Sequence, residues 1–199
     1  MGGIAYLVDE GGTILAVGRG SWEEFAHQNE AESLTPDRVL GRSLFGMFLG
    51  EEVRDVYRRL HDAVCRGRRR EIGFNYRCDA PETERHMRMS IGRVCEGDAL
   101  VAVLYQSQLV QAVSRVPIPL FEAGRRVRPD QPPTDQPLVM LCSYCHVVAP
   151  AGVDRTSQGN WMQPDDYYAA GHPADVMVSH GICPGCYDRV LRASVDDAA

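Results

Sequence analysis

Two cysteines and a histidine in the stretch LCSYCHVVAP (141–150) have types and spacing suited to chemistry. Cys142, Cys145 and His146 form C-x-x-C-H, the spacing at which c-type haem is covalently attached. The same two thiols would equally serve as half of a zinc site or as a dithiol redox pair. A second pair, Cys183 and Cys186 in HGICPGC, follows after 37 intervening residues. It decides among the three.

Only zinc uses all four paired cysteines. Zinc prefers four soft ligands in a tetrahedron, and each C-x-x-C knuckle supplies two. A haem would leave Cys183 and Cys186 without a role, and a thioredoxin-like pair needs a βαβ setting that this pattern lacks. We therefore predict a structural Zn²⁺ held by Cys142, Cys145, Cys183 and Cys186. A thiol-based redox switch through the same four residues is the alternative.

The remaining histidines and cysteines are expected to stay outside the metal's ligand set. His180 lies three residues before Cys183 and would support the site or pack beside it, while His146 simply follows its knuckle. Three cysteines are scattered singly, and we expect them to be small core residues rather than reactive thiols. They are Cys65, Cys78 and Cys95.

Composition and charge argue against several classes of partner. The formal net charge is −6, and residues 138–199 hold seven aspartates and three arginines, so a nucleic-acid-binding regulator is only the second alternative. No apolar run approaches the ~18–20 residues of a membrane span, and the N-terminus lacks a secretory signal. We expect a cytoplasmic protein whose thiols are reduced. All 21 basic residues are arginine, as expected from a GC-rich bacterial genome.

The elements that position these residues begin with a predicted sheet. IAYLVDEGGTILAVG (4–18) predicts a hairpin of two strands around an Asp-Glu-Gly-Gly turn. Alternating or continuous apolar runs predict three more strands at 71–78, 85–94 and 99–110. Between them, residues 51–66 predict a long amphipathic helix. This order indicates an α+β domain, an antiparallel sheet with helices over one face.

The chain after this domain divides into a linker and a small module. Residues 114–137 contain six prolines and predict a linker with few contacts. Residues 138–193 hold both cysteine pairs and end in the predicted helix PGCYDRVLRA, and 194–199 predict a disordered tail. We expect residues 1–113 to fold on their own.

Residues 1–113 resemble a PAS domain. GGTILAVGRGSWEEFA resembles the opening hairpin and first helix of that family, with Ser21 as a candidate N-cap. VLGRSLFGMF resembles its Gly-Arg segment before the long connector helix. The resemblance implies a five-stranded antiparallel sheet, helices that enclose a small cavity for an unknown ligand, and a sensory domain that forms a homodimer.

Single residues bear on the cofactors that PAS domains carry. His61 stands on the predicted long helix, where some haem-binding PAS proteins place an axial ligand, but we expect a partly exposed histidine on the helix flank. Leu44 stands where a flavin photosensor would need a reactive cysteine, so we expect no flavin adduct. Four further residues of the predicted strands would serve equally well as the lining of a cavity or as part of the packed core. They are Phe74, Tyr76, Met87 and Met89.

The second half also resembles a known pattern. Cys142-x-x-Cys145, WMQPDDYY (161–168) and SHGICPGC (179–186) resemble, in order, the cysteine-rich tail that follows PAS or receiver modules in bacterial signalling proteins. The resemblance implies a regulatory protein that acts through contacts with an unidentified signalling partner. We find no kinase, cyclase, phosphodiesterase or catalytic-triad signature, and so expect no enzyme.

Overall fold

A five-stranded antiparallel sheet occupies the first part of the chain. The structure, a computed structural model, describes residues 3–29, 31–48, 50–127 and 135–195. The strand order is β2-β1-β5-β4-β3, and every neighbouring pair is antiparallel. The predicted α+β class, a five-stranded antiparallel sheet with helices, is confirmed. The strands are β1 (Ile4–Val8), β2 (Ile14–Val17), β3 (Glu71–Arg77), β4 (Thr83–Glu96) and β5 (Ala99–Ser114).

Three helices connect β2 to β3, and a short 3-10 turn precedes the third. They are α1 (Ser21–Gln28), α2 (Pro36–Val39) and α3 (Glu51–Cys65). Ser21 is the first helical residue of α1, and the N-cap is Gly20. The Gly20 N–H donates to a Glu23 carboxylate oxygen at 2.6 Å. The N-cap prediction is wrong by one residue. Gly20 has φ 80°, a backbone conformation that glycine adopts at low cost and serine does not.

Helix α3 packs its predicted apolar stripe against the sheet. Val53, Val56, Leu60 and Val64 are all at most 5% exposed. At its C-terminal end, the Arg93 guanidinium of β4 donates to the carbonyls of Val64 and Cys65 at 2.6 Å each. These are carbonyls that a helix end leaves without a partner. The arginine therefore fixes the end of α3 to the sheet.

A second, three-stranded sheet carries the cysteine pairs. Its strand order is β7-β6-β8, with β6 and β7 antiparallel and β6 and β8 parallel. Two helices accompany it, the short α4 after β7 and α5 after β8. The elements are β6 (Leu138–Cys142), β7 (Val148–Ala149), α4 (Pro164–Ala169), β8 (Met177–Gly181) and α5 (Pro184–Val195).

The segment predicted to be a free linker is packed in its first part. Ile118, Leu120 and Phe121 are at most 6% exposed and share a core with residues of the second sheet. The Val127 N–H donates to the Val178 carbonyl of β8 at 3.0 Å. The expectation of few contacts is wrong for residues 115–127, because the apolar residues among the prolines bury against the sheet. Residues 128–134 lie outside the described residues.

The predicted domain boundaries at 113, 137 and 193 stay a prediction. Helix α5 includes residues 194 and 195 of the predicted tail, and residues 196–199 lie outside the described part of the chain. The first sheet with α1–α3 and the second sheet with α4 and α5 form the two halves of the chain. One continuous core spans both halves, since Val190 of α5 and Trp161 belong to the same buried cluster as Val56 of α3. The two halves are thus joined by apolar packing.

Tyr144, between the first two cysteines, makes the closest link between the halves. Its ring lies 5.4 Å from the Phe74 ring and 6.3 Å from the Tyr57 ring, centroid to centroid. Its carbonyl accepts a hydrogen bond from the Arg77 N–H at the end of β3, at 2.9 Å. The cysteine loop is therefore bonded directly to the PAS-like sheet.

A buried carboxylate adds a polar link at the same place. The side chain of Asp79 is fully buried; it pairs with the Arg77 guanidinium and accepts from Arg115 Nη1 at 2.8 Å. His146 Nδ1 lies 3.4 Å away. Burial by itself would raise the pKa of Asp79, but the neighbouring His146 and Arg77 outweigh burial and hold the pKa well below its usual range. The carboxylate stays ionised, as two arginine partners require.

Gly50, the N-cap of α3, offers a test of this contact between the halves. A Cβ at position 50 would lie 2.9 Å from the His180 carbonyl oxygen of β8, a backbone atom that cannot rotate away. We expect Gly50→Ala to lower the free energy of unfolding by about 1–3 kcal/mol, the usual cost of overpacking. Urea unfolding followed by circular dichroism measures it.

Gly46→Ala is the matched control. A Cβ there would meet its nearest atom, Ser43 Cβ, at an ordinary 3.7 Å. Equal stability of the two variants would mean that the close approach of α3 to β8 does not exist in solution.

Candidate metal centre

The four predicted cysteines converge on one point. All four Sγ atoms lie within 4.8 Å of one another, and Cys145 Sγ is 3.7 Å from Cys183 Sγ. A tetrahedral thiolate site with metal–sulfur distances of about 2.3 Å has edges of about 3.8 Å. The Cys145–Cys183 distance matches such an edge, and the other sulfur pairs lie within 4.8 Å of each other. None of the seven cysteines, all within the described residues, forms a disulfide.

The first knuckle turns tightly at the end of β6. The His146 N–H donates to the Cys142 carbonyl at 3.0 Å, and the Cys142 N–H donates to the Val147 carbonyl at 2.9 Å. His146 closes the turn in the left-handed conformation, at φ 60°, where glycine is favoured. The His146 ring lies 5.1 Å from the Phe121 ring, centroid to centroid, and this contact ties the knuckle to the segment predicted to be a linker.

The second knuckle leads from β8 into α5. The Cys183 N–H donates to Cys142 Sγ at 3.3 Å, and Arg189 Nη2, one turn along α5, donates to Cys186 Sγ at 3.1 Å. Both contacts stabilise sulfur in its thiolate form. Parallel pairing of β6 with β8 places the C-terminal ends of both strands side by side, and each strand leads into one knuckle. This register brings the two pairs together.

The electrostatics of the cluster favour a bound cation. Cys142, Cys183 and Cys186 are at most 3% exposed, and Cys145 is half-buried. Hydrogen bonds from Cys145 and then from Cys183 lower the pKa of Cys142, while the neighbouring Cys142 raises the pKa of Cys145 and of Cys186. The buried thiolate of Cys142 is a negative charge that a soft metal ion among the four sulfurs would neutralise.

The single cysteines lie away from this centre. Cys65 and Cys78 are half-buried, and burial raises the pKa of Cys65 to about 11, so neither is an activated thiol. Cys95 is exposed near the end of β4. The core assignment is thus wrong for Cys95, which lies where β4 extends past β3 and pairs only with β5. His180 does not join the sulfur cluster among the described residues.

His61 differs from its predicted position. It is 1% exposed rather than on an exposed flank. Its Nδ1 and the Tyr105 hydroxyl are 3.0 Å apart, and Nε2 is 3.0 Å from the Asp9 carbonyl oxygen. Both ring nitrogens are therefore engaged by protein groups, which satisfies a buried imidazole. Periodicity placed His61 beside the stripe but did not show these partners.

Sequence reasoning also missed residues that support the sulfurs. Arg189 lies three residues after Cys186 on the same helix, and this spacing alone would have indicated the contact. The Gly185 N–H donates to Gln158 Oε1 at 2.8 Å, which holds the first turn of α5. No pattern in the sequence links Gln158 to that helix.

Comparison with known proteins gives structural similarity only. No family model matches the chain, and no curated protein matches it. The PAS domain of the histidine kinase ThkA is similar at 14% identity and a TM-score of 0.39, over 54% of this chain and 99% of that one. The PAS domain of BvgS from Bordetella pertussis is similar at 12% identity and a TM-score of 0.42, over 54% and 76%.

A third similar structure is the PAS domain of the quorum-sensing receptor RpfR from Cronobacter turicensis, in complex with BDSF. It shares 15% identity at a TM-score of 0.36, over 55% of this chain and 94% of that one. At these identities the similarity concerns the fold alone.

In the described ranges, no helix is both long enough and apolar enough to cross a bilayer.

Replacing one ligand should remove the metal, while relaxing the adjacent turn should not. Cys142→Ser deletes a buried sulfur that three other groups approach, so we expect most of the bound metal to be lost, with a lower thermal midpoint. His146→Gly keeps the left-handed backbone and should retain the metal. Inductively coupled plasma mass spectrometry measures both. Full metal content in Cys142→Ser would contradict the assignment of that sulfur.

Proposed function

We propose that this chain is a non-catalytic, cytoplasmic sensory or regulatory protein in which a structural zinc module is fixed to a PAS-like domain. The convergence of four sulfurs at the junction of the two halves carries the proposal. Its output is contact with a signalling protein, and the PAS-like domain forms a homodimer.

The donor set supports zinc as the metal. Four thiolates at two C-x-x-C knuckles form a closed structural site, with no position left for a substrate. The cysteine module is small, so metal binding supplies much of its folding free energy, on the order of 10–16 kcal/mol for structural zinc sites at neutral pH. Zinc would hold the first turn of α5 in place, since two ligands flank that turn.

The packing of α5 supports coupling between the two halves. Val190 of α5 is 1% exposed in the core that it shares with α3, and Tyr144 lies against two rings of the PAS-like domain. A shift in α3 or β3 would therefore change the position of the two C-x-x-C knuckles. Two exposed apolar side chains support contact with a partner: Val110 in β5 is 65% exposed, and Val116, just after β5, is 83% exposed.

One observation favours a second candidate function, a thiol-based redox switch. Cys145 Sγ and Cys183 Sγ lie 3.7 Å apart across the two knuckles, and Cys145 is the most exposed of the four. Hydrogen peroxide would accept two electrons from this pair as the two sulfurs join in a disulfide. Zinc would then be released, because two of its four thiolate ligands would be lost. The zinc site is common to both functions, and only its reactivity separates them.

Metal stoichiometry and peroxide sensitivity test the two functions together. We expect one zinc per chain, and we expect zinc to stay bound under low-millimolar peroxide if the site is structural. Release that is reversed by a thiol reductant would favour the switch. Cys95→Ser is the control, since that exposed thiol lies outside the cluster. A folded, metal-free protein whose four paired cysteines titrate as free thiols would overturn the zinc module.

Light scattering on the zinc-loaded chain tests the homodimer at the same time. A monomer at all concentrations would remove the dimer from the proposal, while the zinc module would stand on its own measurement.

A further inference from the structure

A cavity lies where the two halves meet. Its volume is about 340 Å³, near the lower end of the range of about 300–1,000 Å³ typical of small-molecule sites. The start of α3, the end of β3, residues 120–126 and the first cysteine loop all contribute to its wall. It therefore differs from the space between α3 and β5, which the buried rings of His61 and Tyr105 occupy.

Most of the cavity wall is apolar. Phe48 and Tyr57, whose rings stack with centroids 4.5 Å apart, line the cavity together with Leu120 and Phe121 of the packed segment. Val53, in the first turn of α3, also contributes to the wall. Such a wall binds the hydrocarbon part of a ligand.

Two buried polar atoms in this wall have no hydrogen-bond partner in the described part of the chain. Tyr144 is 2% exposed, and no protein atom meets its hydroxyl with the distance and angles of a hydrogen bond. His146 Nδ1 has only the Asp79 carboxylate at 3.4 Å, outside hydrogen-bond geometry. Buried polar groups are nearly always satisfied by protein, water or ligand. Both residues line the cavity, so its occupant is a natural partner.

The charge of the wall indicates the sign of the ligand. Arg77 is compensated by Asp79 and Glu84. Arg126 also lines the cavity, and its guanidinium forms no ion pair with a carboxylate of the described residues. Pairing of the Arg126 backbone with β8 brings this charge to the second sheet. The wall thus holds one uncompensated cation beside an apolar surface.

We propose that the junction cavity binds a small organic carboxylate with an aromatic or aliphatic body. The carboxylate pairs with Arg126, the free donor of Tyr144 contributes a hydrogen bond, and the body packs against Phe48 and Leu120. The inference rests on the proposed sensory function in one respect: a ligand here touches both halves, and so joins the signal to the zinc module.

Calorimetric titration of the zinc-loaded full chain tests the proposal with defined probes. The probes are phenylacetate, 4-phenylbutyrate and octanoate, each with its neutral primary amide. We expect at least one acid to bind about tenfold or more tightly than its amide. Arg126→Gln should abolish that preference, and Arg59→Gln, on the exposed face of α3, should keep it. Arg126 makes no ion pair within the described residues, so its variant should fold.

Tyr144→Phe gives an independent readout. Removing a buried hydroxyl without a partner should raise the thermal midpoint of the free protein, while it weakens binding of the acid. A merely structural tyrosine would not move these two quantities in opposite directions. The proposal is overturned if no acid binds, if acids and amides bind alike, or if Arg126→Gln binds as the wild type does. Zinc content is measured in each sample, so a lost metal is distinguished from an absent ligand.

Discussion

The position of four sulfurs within 4.8 Å is the constraint on which the second half of the molecule depends. The two pairs are separated by 37 residues, so their meeting requires a scaffold. Parallel pairing of β6 and β8 supplies it, because both strands then end at the same edge of the sheet. Helix α5 must begin at that edge, and its direction follows from the site.

The same constraint joins the halves of the protein. Ser143 and Tyr144 are the two residues between the first pair of cysteines, and each is bonded outside the knuckle. The Ser143 N–H donates to the Gly181 carbonyl, and the Tyr144 carbonyl accepts from Arg77 of the PAS-like sheet, both at 2.9 Å. A metal held by the four sulfurs, as proposed above, would fix the loop between Cys142 and Cys145. The inner residues of that loop would then present a fixed surface to β3 and α3.

Local patterns predicted a large part of this arrangement. Strand alternation, the stripe of α3 and the two C-x-x-C spacings depend on neighbours in sequence, and the structure agrees with each. The failures have tertiary causes. His61 is buried because carbonyls and a hydroxyl far along the chain satisfy it. Proline-rich composition indicated a spacer at 114–137, yet Ile118 and Leu120 find an apolar partner that composition does not reveal.

Two kinds of polar burial distinguish the interior of the PAS-like domain from the junction. Between α3 and β5, the imidazole of His61 meets the Tyr105 hydroxyl and the Asp9 carbonyl, so the polar groups satisfy one another. The stacked rings of Tyr6 and Tyr105, 5.0 Å apart, fill the adjoining space. At the junction, in contrast, the Tyr144 hydroxyl and His146 Nδ1 are buried with no hydrogen-bond partner among the described residues. A satisfied, close-packed region resists change, whereas an unsatisfied one gains most from an added group. The surface where the two halves meet is therefore the part of this fold that an added group would stabilise most, and the first cysteine loop forms one of its walls.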